Sequence, residues 1–294
     1  MNCKFVIETK LFSTIIKSIA AITEEVPFMI TQEGIIFETL DPSHVACMFL
    51  KIPKEEMVEW KVDCVNYHKF ILDISDLPSF IKGKEKGLTV VTITGEDQED
   101  EWKKRWQTCI ACYKSKTFDE ITEDGIKYSI CENCGDKVEM DRFKVYHDIK
   151  VNIKIVSPEG SATEIALEGD NNKYLPLKYP NIEYTGAVTI SKKEMLSVIT
   201  NLKKCGEEVT ITLKDDIICF EGHEKFKAMY SKADPLIKEI KGEAVSQYNL
   251  CYLGDIIKGI DSKEVEFNLK NDAPIEIRDL KLDLGYVLAP RIER

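Results

Sequence analysis

Apolar residues recur at helical spacing in two separated stretches. In KLFSTIIKSIAAI (10–22), Phe12, Ile15, Ile16, Ile19 and Ile22 fall on one face of a helix. In SKKEMLSVITNLKKCG (191–206), Met195, Val198, Ile199, Leu202 and Cys205 do the same. The two stripes superpose at a constant offset of 183 residues, Phe12 on Met195 and Ile15 on Val198. The same offset carries into the alternating stretches that follow. Val26, Phe28, Ile30, Phe37 and Glu38 match Val209, Ile211, Leu213, Phe220 and Glu221, with the period of half-buried antiparallel strands. A polar turn interrupts both at the same place, TQEG in one and KDD in the other.

A second pair lies further along. SDLPSFIKG (75–83) matches YLGDIIKG (252–259) at an offset of 176, Lys82 on Lys258 and Gly83 on Gly259. Each precedes a strand, LTVVTIT (88–94) and EVEFNL (264–269). The pattern predicts an α+β fold built from one unit used twice: strand, helix, several strands, helix, more strands. The first unit occupies 1–167, a connector 168–185 and the second unit 186–294. In the second unit EVEFNL turns through KNDA directly into PIEIRDL. In the first, residues 96–150 separate TVVTIT from VNIKIVS and have no counterpart. They are an insertion in a hairpin turn.

Two Cys-x-x-Cys pairs lie in that insertion, Cys109/Cys112 and Cys131/Cys134. A Cys-x-x-Cys turn aims two thiolates at one ion, and two such turns complete a tetrahedron, the arrangement of a zinc ribbon. Four thiolates fill the coordination sphere of Zn2+, so the site is expected to be structural, one ion per chain. An iron–sulfur centre or a redox pair is the alternative. Trp102, Trp106 and Tyr113, among Lys103, Lys104, Arg105, Lys114 and Lys116, give the lobe aromatic and basic groups suited to nucleic acid or a partner protein. An equally plain reading is that the lobe covers its own aromatics. Because hairpin turns alternate between the two ends of the strands, the insertion is expected at the sheet edge from which the connector leaves.

Charge narrows the reading. The chain has 294 residues and a formal net charge of −11, with 44% hydrophobic and 31% charged residues. That is a soluble globular composition whose affinity for nucleic acid must come from local lysine clusters. The helix candidates supply them. The first carries Lys10 and Lys17, the second Lys192, Lys193, Lys203 and Lys204 against one Glu194, and 79–87 adds Lys82, Lys84 and Lys86. Lys258 lies in the last helix beside Asp255. Such faces attract phosphates without reading sequence. No apolar run approaches the ~20 residues of a membrane span. With no secretory signal apparent and ten cysteines, a reducing, cytoplasmic location is expected, with Cys3, Cys47, Cys64, Cys205, Cys219 and Cys251 packed as small hydrophobes. No Walker A loop or nucleophile elbow occurs, and His44, His68, His147 and His223 are scattered. Catalysis is not expected.

Three stretches carry a family resemblance. FETLDPSHVACMFLKI (37–52), EGDNNKYLPLKYPNIEY (168–184) and LGYVLAPRIE (284–293) resemble segments of the archaeal and eukaryotic DNA sliding clamps, the proliferating cell nuclear antigen family. The resemblance covers nearly the whole chain outside 96–150. It implies a homotrimeric ring of two-domain subunits, sheets outside and helices lining the hole, around duplex DNA. It places Lys17, Lys82, Lys84, Lys203, Lys204 and Lys258 on the inner surface. Ser13 and Thr14 stand where relatives carry adjacent basic residues, so the first unit should grip DNA less. The edges 163–169 and 225–231 would join subunits. Polymerase, clamp loader, flap nuclease and ligase would dock by short helical plugs in a pocket of Leu40, His44, Val45, Leu175, Leu177, Pro274, Ala289, Pro290 and Ile292, with Val287 where many relatives have tyrosine. A clamp-like subunit of a mixed checkpoint or transcription ring is the alternative. The source is expected to be archaeal or viral; a eukaryotic one would put the protein in the nucleus.

Overall fold

The structure, a computed structural model, describes residues 1–62, 67–97, 101–103, 118–123, 126–131, 137–139, 141–143, 146–170, 180, 182–222 and 226–291. The first unit begins with β1 (Asn2–Glu8), α1 (Thr9–Ala20), β2 (Glu25–Thr31), β3 (Gly34–Leu40) and β4 (Ala46–Pro53). It continues with β5 (Glu59–Val62), β6 (Tyr67–Asp73), α2 (Leu77–Ile81) and β7 (Leu88–Asp97). The insertion holds β8 (Glu101–Lys103), β9 (Phe118–Glu123), β10 (Ile126–Cys131), β11 (Lys137–Glu139) and β12 (Asp141–Phe143). β13 (Tyr146–Val156) and β14 (Ala162–Asp170) end the unit. The second unit runs β15 (Gly186–Ser191), α3 (Lys192–Leu202), β16 (Glu208–Lys214), β17 (Ile217–Gly222), β18 (Phe226–Ser231), β19 (Ile237–Gly242) and β20 (Ala244–Asn249). It closes with α4 (Leu250–Gly259), β21 (Glu264–Leu269), β22 (Ile275–Asp279) and β23 (Asp283–Leu288).

The repeat is complete at the level of strand order. Each unit has a five-stranded antiparallel run, β5-β1-β7-β13-β14 in the first and β19-β15-β21-β22-β23 in the second. Each also has a four-stranded run, β4-β3-β2-β6 and β18-β17-β16-β20. The pairing Phe28↔Phe37 recurs as Ile211↔Phe220, the register expected from the offset of 183. The turns reach the same two-residue loop by different chemistry. Asp215 and Asp216 both take positive φ, the form that suits the twist of a two-residue hairpin. In the first unit the burden falls on Gly34, at φ +143, where a Cβ would stand 2.2 Å from the Ile52 carbonyl oxygen.

The helical stripes bury as their spacing predicts. Phe12, Ile15, Ile16, Ile19 and Ile22 are buried, as are Met195, Val198, Ile199 and Leu202, while Cys205 is half-buried. At roughly 1.5–3 kcal/mol per buried aliphatic or aromatic side chain, this packing holds the helices to their sheets more than their propensity does. The helices of the second matched pair, α2 and α4, differ in length. α2 is a single turn of five residues, started by Pro78 and ended where Lys82 turns extended and Gly83 takes φ +81. Its counterpart α4 has ten residues, and its start is fixed by the Asn249 side chain, which accepts from the Cys251 and Tyr252 amides. None of the described helices is long and apolar enough to cross a membrane.

The halves are joined in two layers. β23 pairs with β4 along six residues, Asp283↔Lys51 to Leu288↔Ala46, fusing the outer strands into one sheet. Beneath it α1 packs on α4. Ser18 Oγ donates to the Gly259 carbonyl (2.7 Å) and Tyr286 Oη to the Ser18 carbonyl (2.7 Å). A Cβ at Gly259 would meet Ala21 Cβ and Tyr286 Oη at 3.1 Å, so this helix end admits no larger residue without movement. The strands bounding the insertion run further than the sequence pattern indicates. Glu96 and Asp97 pair with His147 and Tyr146, so the two strands converge at 97 and 146. Ile149 pairs with Gly169 just before the connector, so insertion and connector leave the sheet at the same edge.

Candidate functional site

Two surfaces bring the candidate residues together. The first is the outer face of the helices. α2 packs on α1, α1 on α4 and α4 on α3, so all four form one layer. Each helix buries its apolar stripe, which turns the opposite face to solvent. Lys17, Lys82, Lys203, Lys204 and Lys258 are all exposed. Lys203 Nζ lies 3.1 Å from the position a Gly254 Cβ would take, so this lysine of α3 lies over α4. Lys258 pairs with Asp255 at 2.8 Å and Lys204 with the Asn201 amide oxygen at 3.1 Å, both in solvent. Such exposed contacts are worth a few tenths of a kcal/mol and leave the ammonium groups free to meet phosphate. Glu85, beside this row, is held below its usual carboxylate range by its own amide and that of Gly83, with Lys17 adding to the effect.

Lys84 differs from the other five. It is half-buried, its ammonium bonds the Phe80 carbonyl and stands 4.1 Å from the centre of the Phe80 ring. It closes the end of α2. Lys192 behaves similarly: it reaches the carbonyls of Lys258 and Ile260, capping α4. Burial pushes its ammonium pKa down, against the pull of Asp261 and Asp279.

The second surface surrounds the loop between β3 and β4. Asp41 is buried, and its carboxylate accepts from the amides of Ser43 (2.9 Å), Val45 (2.6 Å) and Ala46 (2.6 Å). His44 takes φ +59 inside this turn and is exposed. The Ala289 amide donates to the Val45 carbonyl at 2.8 Å, which brings the C-terminal stretch against the loop. Pro274 precedes Ile275, which pairs with Leu288, and so lies beside Ala289. Leu40, Val45, Pro274, Ala289 and Pro290 are each half-buried, an apolar patch left partly open. Leu175, Leu177 and Ile292 lie outside the described residues.

Sequence reasoning passed over three residues here. Asp41 was read as motif context, yet it organises the loop. Tyr252 donates from α4 to Asp41 at 2.6 Å. Tyr184, at the end of the connector, is half-buried; burial and then Glu276, Tyr248 and Cys47 push its phenol pKa well up. Of these, only the aromatic character of the two tyrosines was visible in the chain.

Of the cysteine pairs, Cys109, Cys112 and Cys134 lie outside the described residues. Cys131 is the last residue of β10. Among the described residues no three His, Cys, Asp or Glu side chains gather as metal ligands would.

Residues 1–123 match the family described as proliferating cell nuclear antigen, N-terminal domain. A DNA polymerase sliding clamp of Methanothrix thermoacetophila is 23% identical over 297 residues, covering 99% of both chains. One of Nitrosopumilus maritimus is 24% identical over 95% of this chain and 94% of its own. Among solved structures, PCNA from Thermococcus kodakaraensis superposes with a TM-score of 0.70 at 14% identity, over 98% of this chain and 100% of that one. A. fulgidus PCNA, solved with the C-terminal region of FEN-1 bound, superposes at 0.69 and 16% identity over 99% of each chain. Both superpositions extend over the two units of the chain, not the first alone. Residues 1–123 thus match the N-terminal domain of the proliferating cell nuclear antigen family, and the chain as a whole has the fold of its solved members.

Proposed function

We propose that the protein is a DNA sliding clamp: copies join head to tail into a closed homotrimeric ring, helices inward, which encircles duplex DNA without reading its sequence and tethers replication enzymes. The observation that carries this reading is an interface present once inside the chain and available again at its ends. β14 is the counterpart of β23, and β18 that of β4. Inside the chain β23 and β4 pair; among the described residues β18 lies at the end of its sheet, paired on one side by β17, and β14 meets β6 through Gly169 and Asp170 alone. Complementary ends on one chain give a head-to-tail assembly, which closes into a ring where the rotation allows. Three copies follow from the family likeness. Charge supports self-assembly over a mixed ring, because the inherited register sets Glu164 of one copy opposite Lys227 of the next.

The basic helix face then lines the hole, where lysines meeting only phosphates leave the ring free to slide. The half-buried patch around Val45 and Ala289 receives short peptide segments of a polymerase, clamp loader, flap nuclease or ligase. The protein itself catalyses nothing; it acts as a processivity factor. The test is primer extension on a long primed circle with the cognate polymerase and loader. Product length should rise many-fold when the protein is added, and no gain in length would refute the reading.

We also propose one structural Zn2+ per chain, held by Cys109, Cys112, Cys131 and Cys134. Donor chemistry and spacing support it, as does the three-stranded sheet β9-β10-β11, with Cys131 at the end of its central strand. Bound zinc would supply about 10–16 kcal/mol of folding energy to a lobe with little core of its own. The double variant Cys131→Ser, Cys134→Ser should lose the zinc seen by elemental analysis, from one ion per chain to none. The clamp should keep its assembly and main thermal transition, because β7 and β13 pair without the lobe. The edge shared by insertion and connector supports a lobe close to the docking patch, where it would touch a bound partner.

A further inference from the structure

Three segments distant in sequence converge on the 41–45 loop. Its own amides bond the Asp41 carboxylate, the C-terminal stretch bonds the Val45 carbonyl, and α4 contributes the Tyr252 hydroxyl to Asp41 Oδ2 at 2.6 Å. The last of these crosses from the second unit to the first. Asp41 is 2% exposed, so its carboxylate has no bulk water to fall back on. Burial pushes its pKa up, but the Ala46 amide, the Tyr252 phenol and the Ser43 and Val45 amides together hold it below the usual carboxylate range. The hydrogen bond to Asp41 correspondingly raises the Tyr252 phenol.

The helix end that carries Tyr252 is itself fixed. Asn249 caps it, and the neighbouring Gln247 carbonyl accepts from the Arg291 amide at 2.8 Å. Arg291 also reaches Glu208 at 2.6 Å. The phenol therefore projects from a rigid base, while the loop it meets holds His44 at positive φ, a conformation that a non-glycine residue keeps only when its surroundings enforce it.

We propose that Tyr252 is a positioning residue for the docking patch: through Asp41 it fixes the 41–45 loop against the C-terminal stretch, so that His44 and Val45 are preset for an incoming peptide. This rests on the docking reading above. Three amide donors to Asp41 remain without the phenol, so the loop still closes; what is lost is its tie to α4.

The test is Tyr252→Phe in the full, assembled protein, with two readouts. One is titration calorimetry with a synthetic helical peptide bearing an aliphatic residue and two adjacent aromatics. Affinity should fall roughly three- to tenfold, the share of a charge-assisted hydrogen bond that preorganisation recovers. The other is the pH titration of the Val45 and Ala46 amide signals, which report Asp41. Losing a donor to the carboxylate should move their midpoint to higher pH, a change that general loosening elsewhere does not produce. Binding unchanged in Tyr252→Phe, with the wild type binding normally, would overturn the positioning role alone. No binding by the wild type would overturn the docking reading and this inference with it.

Discussion

Replacing Ile165 by aspartate is expected to leave folded single chains of 33.6 kDa in place of an assembly of about 100 kDa, three times that mass. The register follows from the internal repeat. Ile165 pairs with Ile153 as Tyr286 pairs with Ile277, so Ile165 takes the place of Tyr286. Leu50 pairs with Phe37 as Ala228 pairs with Phe220, so Met48 is replaced by Phe226. Tyr286 faces Met48 within the chain; Ile165 should therefore face Phe226 of the next copy. Tyr286 is fully buried, whereas Ile165 in the single chain is only half-buried. Assembly would bury an unpaired carboxylate there. That costs several kcal/mol, about a hundredfold in affinity at each junction for a cost near 3 kcal/mol, and a ring needs every junction. Thr163→Asp serves as the companion variant. Thr163 is exposed in the single chain while its counterpart Leu284 is buried, so folding should be spared and assembly weakened. Size-exclusion chromatography with light scattering reads both. An assembly of unchanged mass with both variants would mean that β14 is not the joining edge.

Much of this fold was legible because it is written twice. A stripe such as Phe12, Ile15, Ile16, Ile19 can be a chance pattern; its recurrence 183 residues later, followed by matching strands, is much harder to produce by chance. The joining edges, 163–169 and 225–231, came from the family resemblance and not from the repeat. What was not legible depended on where long side chains end. Lys84 and Lys192 look like Lys82 and Lys203 in the sequence, yet their ammonium groups cap helix carbonyls. The short length of α2 was not visible because YLGDIIKG and SDLPSFIKG share apolar spacing, while Pro78 and Gly83 restrict SDLPSFIKG to one turn. The strands at the mouth of the insertion were cut short because Glu96, Asp97, Tyr146 and His147 have no alternating apolar pattern. Their pairing is imposed by the ladder they continue. Tyr252 would pass for a core aromatic of an amphipathic helix, and its partner Asp41 lies 211 residues away.

Reversing Lys17, Lys203, Lys204 and Lys258 to glutamate is expected to abolish retention on duplex DNA while leaving assembly and peptide docking intact. All four are exposed on the helix layer and none closes a buried contact, so the cost to folding is small. The electrostatic effect is not. The chain already carries a net charge of −11, so these lysines are what makes the exposed helix face locally attractive to phosphate. Each reversal removes a phosphate partner and adds a repulsive charge. With log K falling by roughly 0.9 per decade of salt for each phosphate neutralised, the wild type should weaken steeply with salt. In the variant neither the affinity nor the slope should survive. The measurement is the residence of ring loaded on a closed circle and on a linear duplex across a salt series. The wild type should stay on the circle and slide from the ends of the linear duplex. A wild type that holds linear DNA as tightly as circular would contradict encirclement. A variant retaining wild-type salt dependence would place the DNA-binding face elsewhere. Lys84→Glu is the internal control: because its ammonium closes α2, the change should lower the melting temperature more than it alters the salt slope.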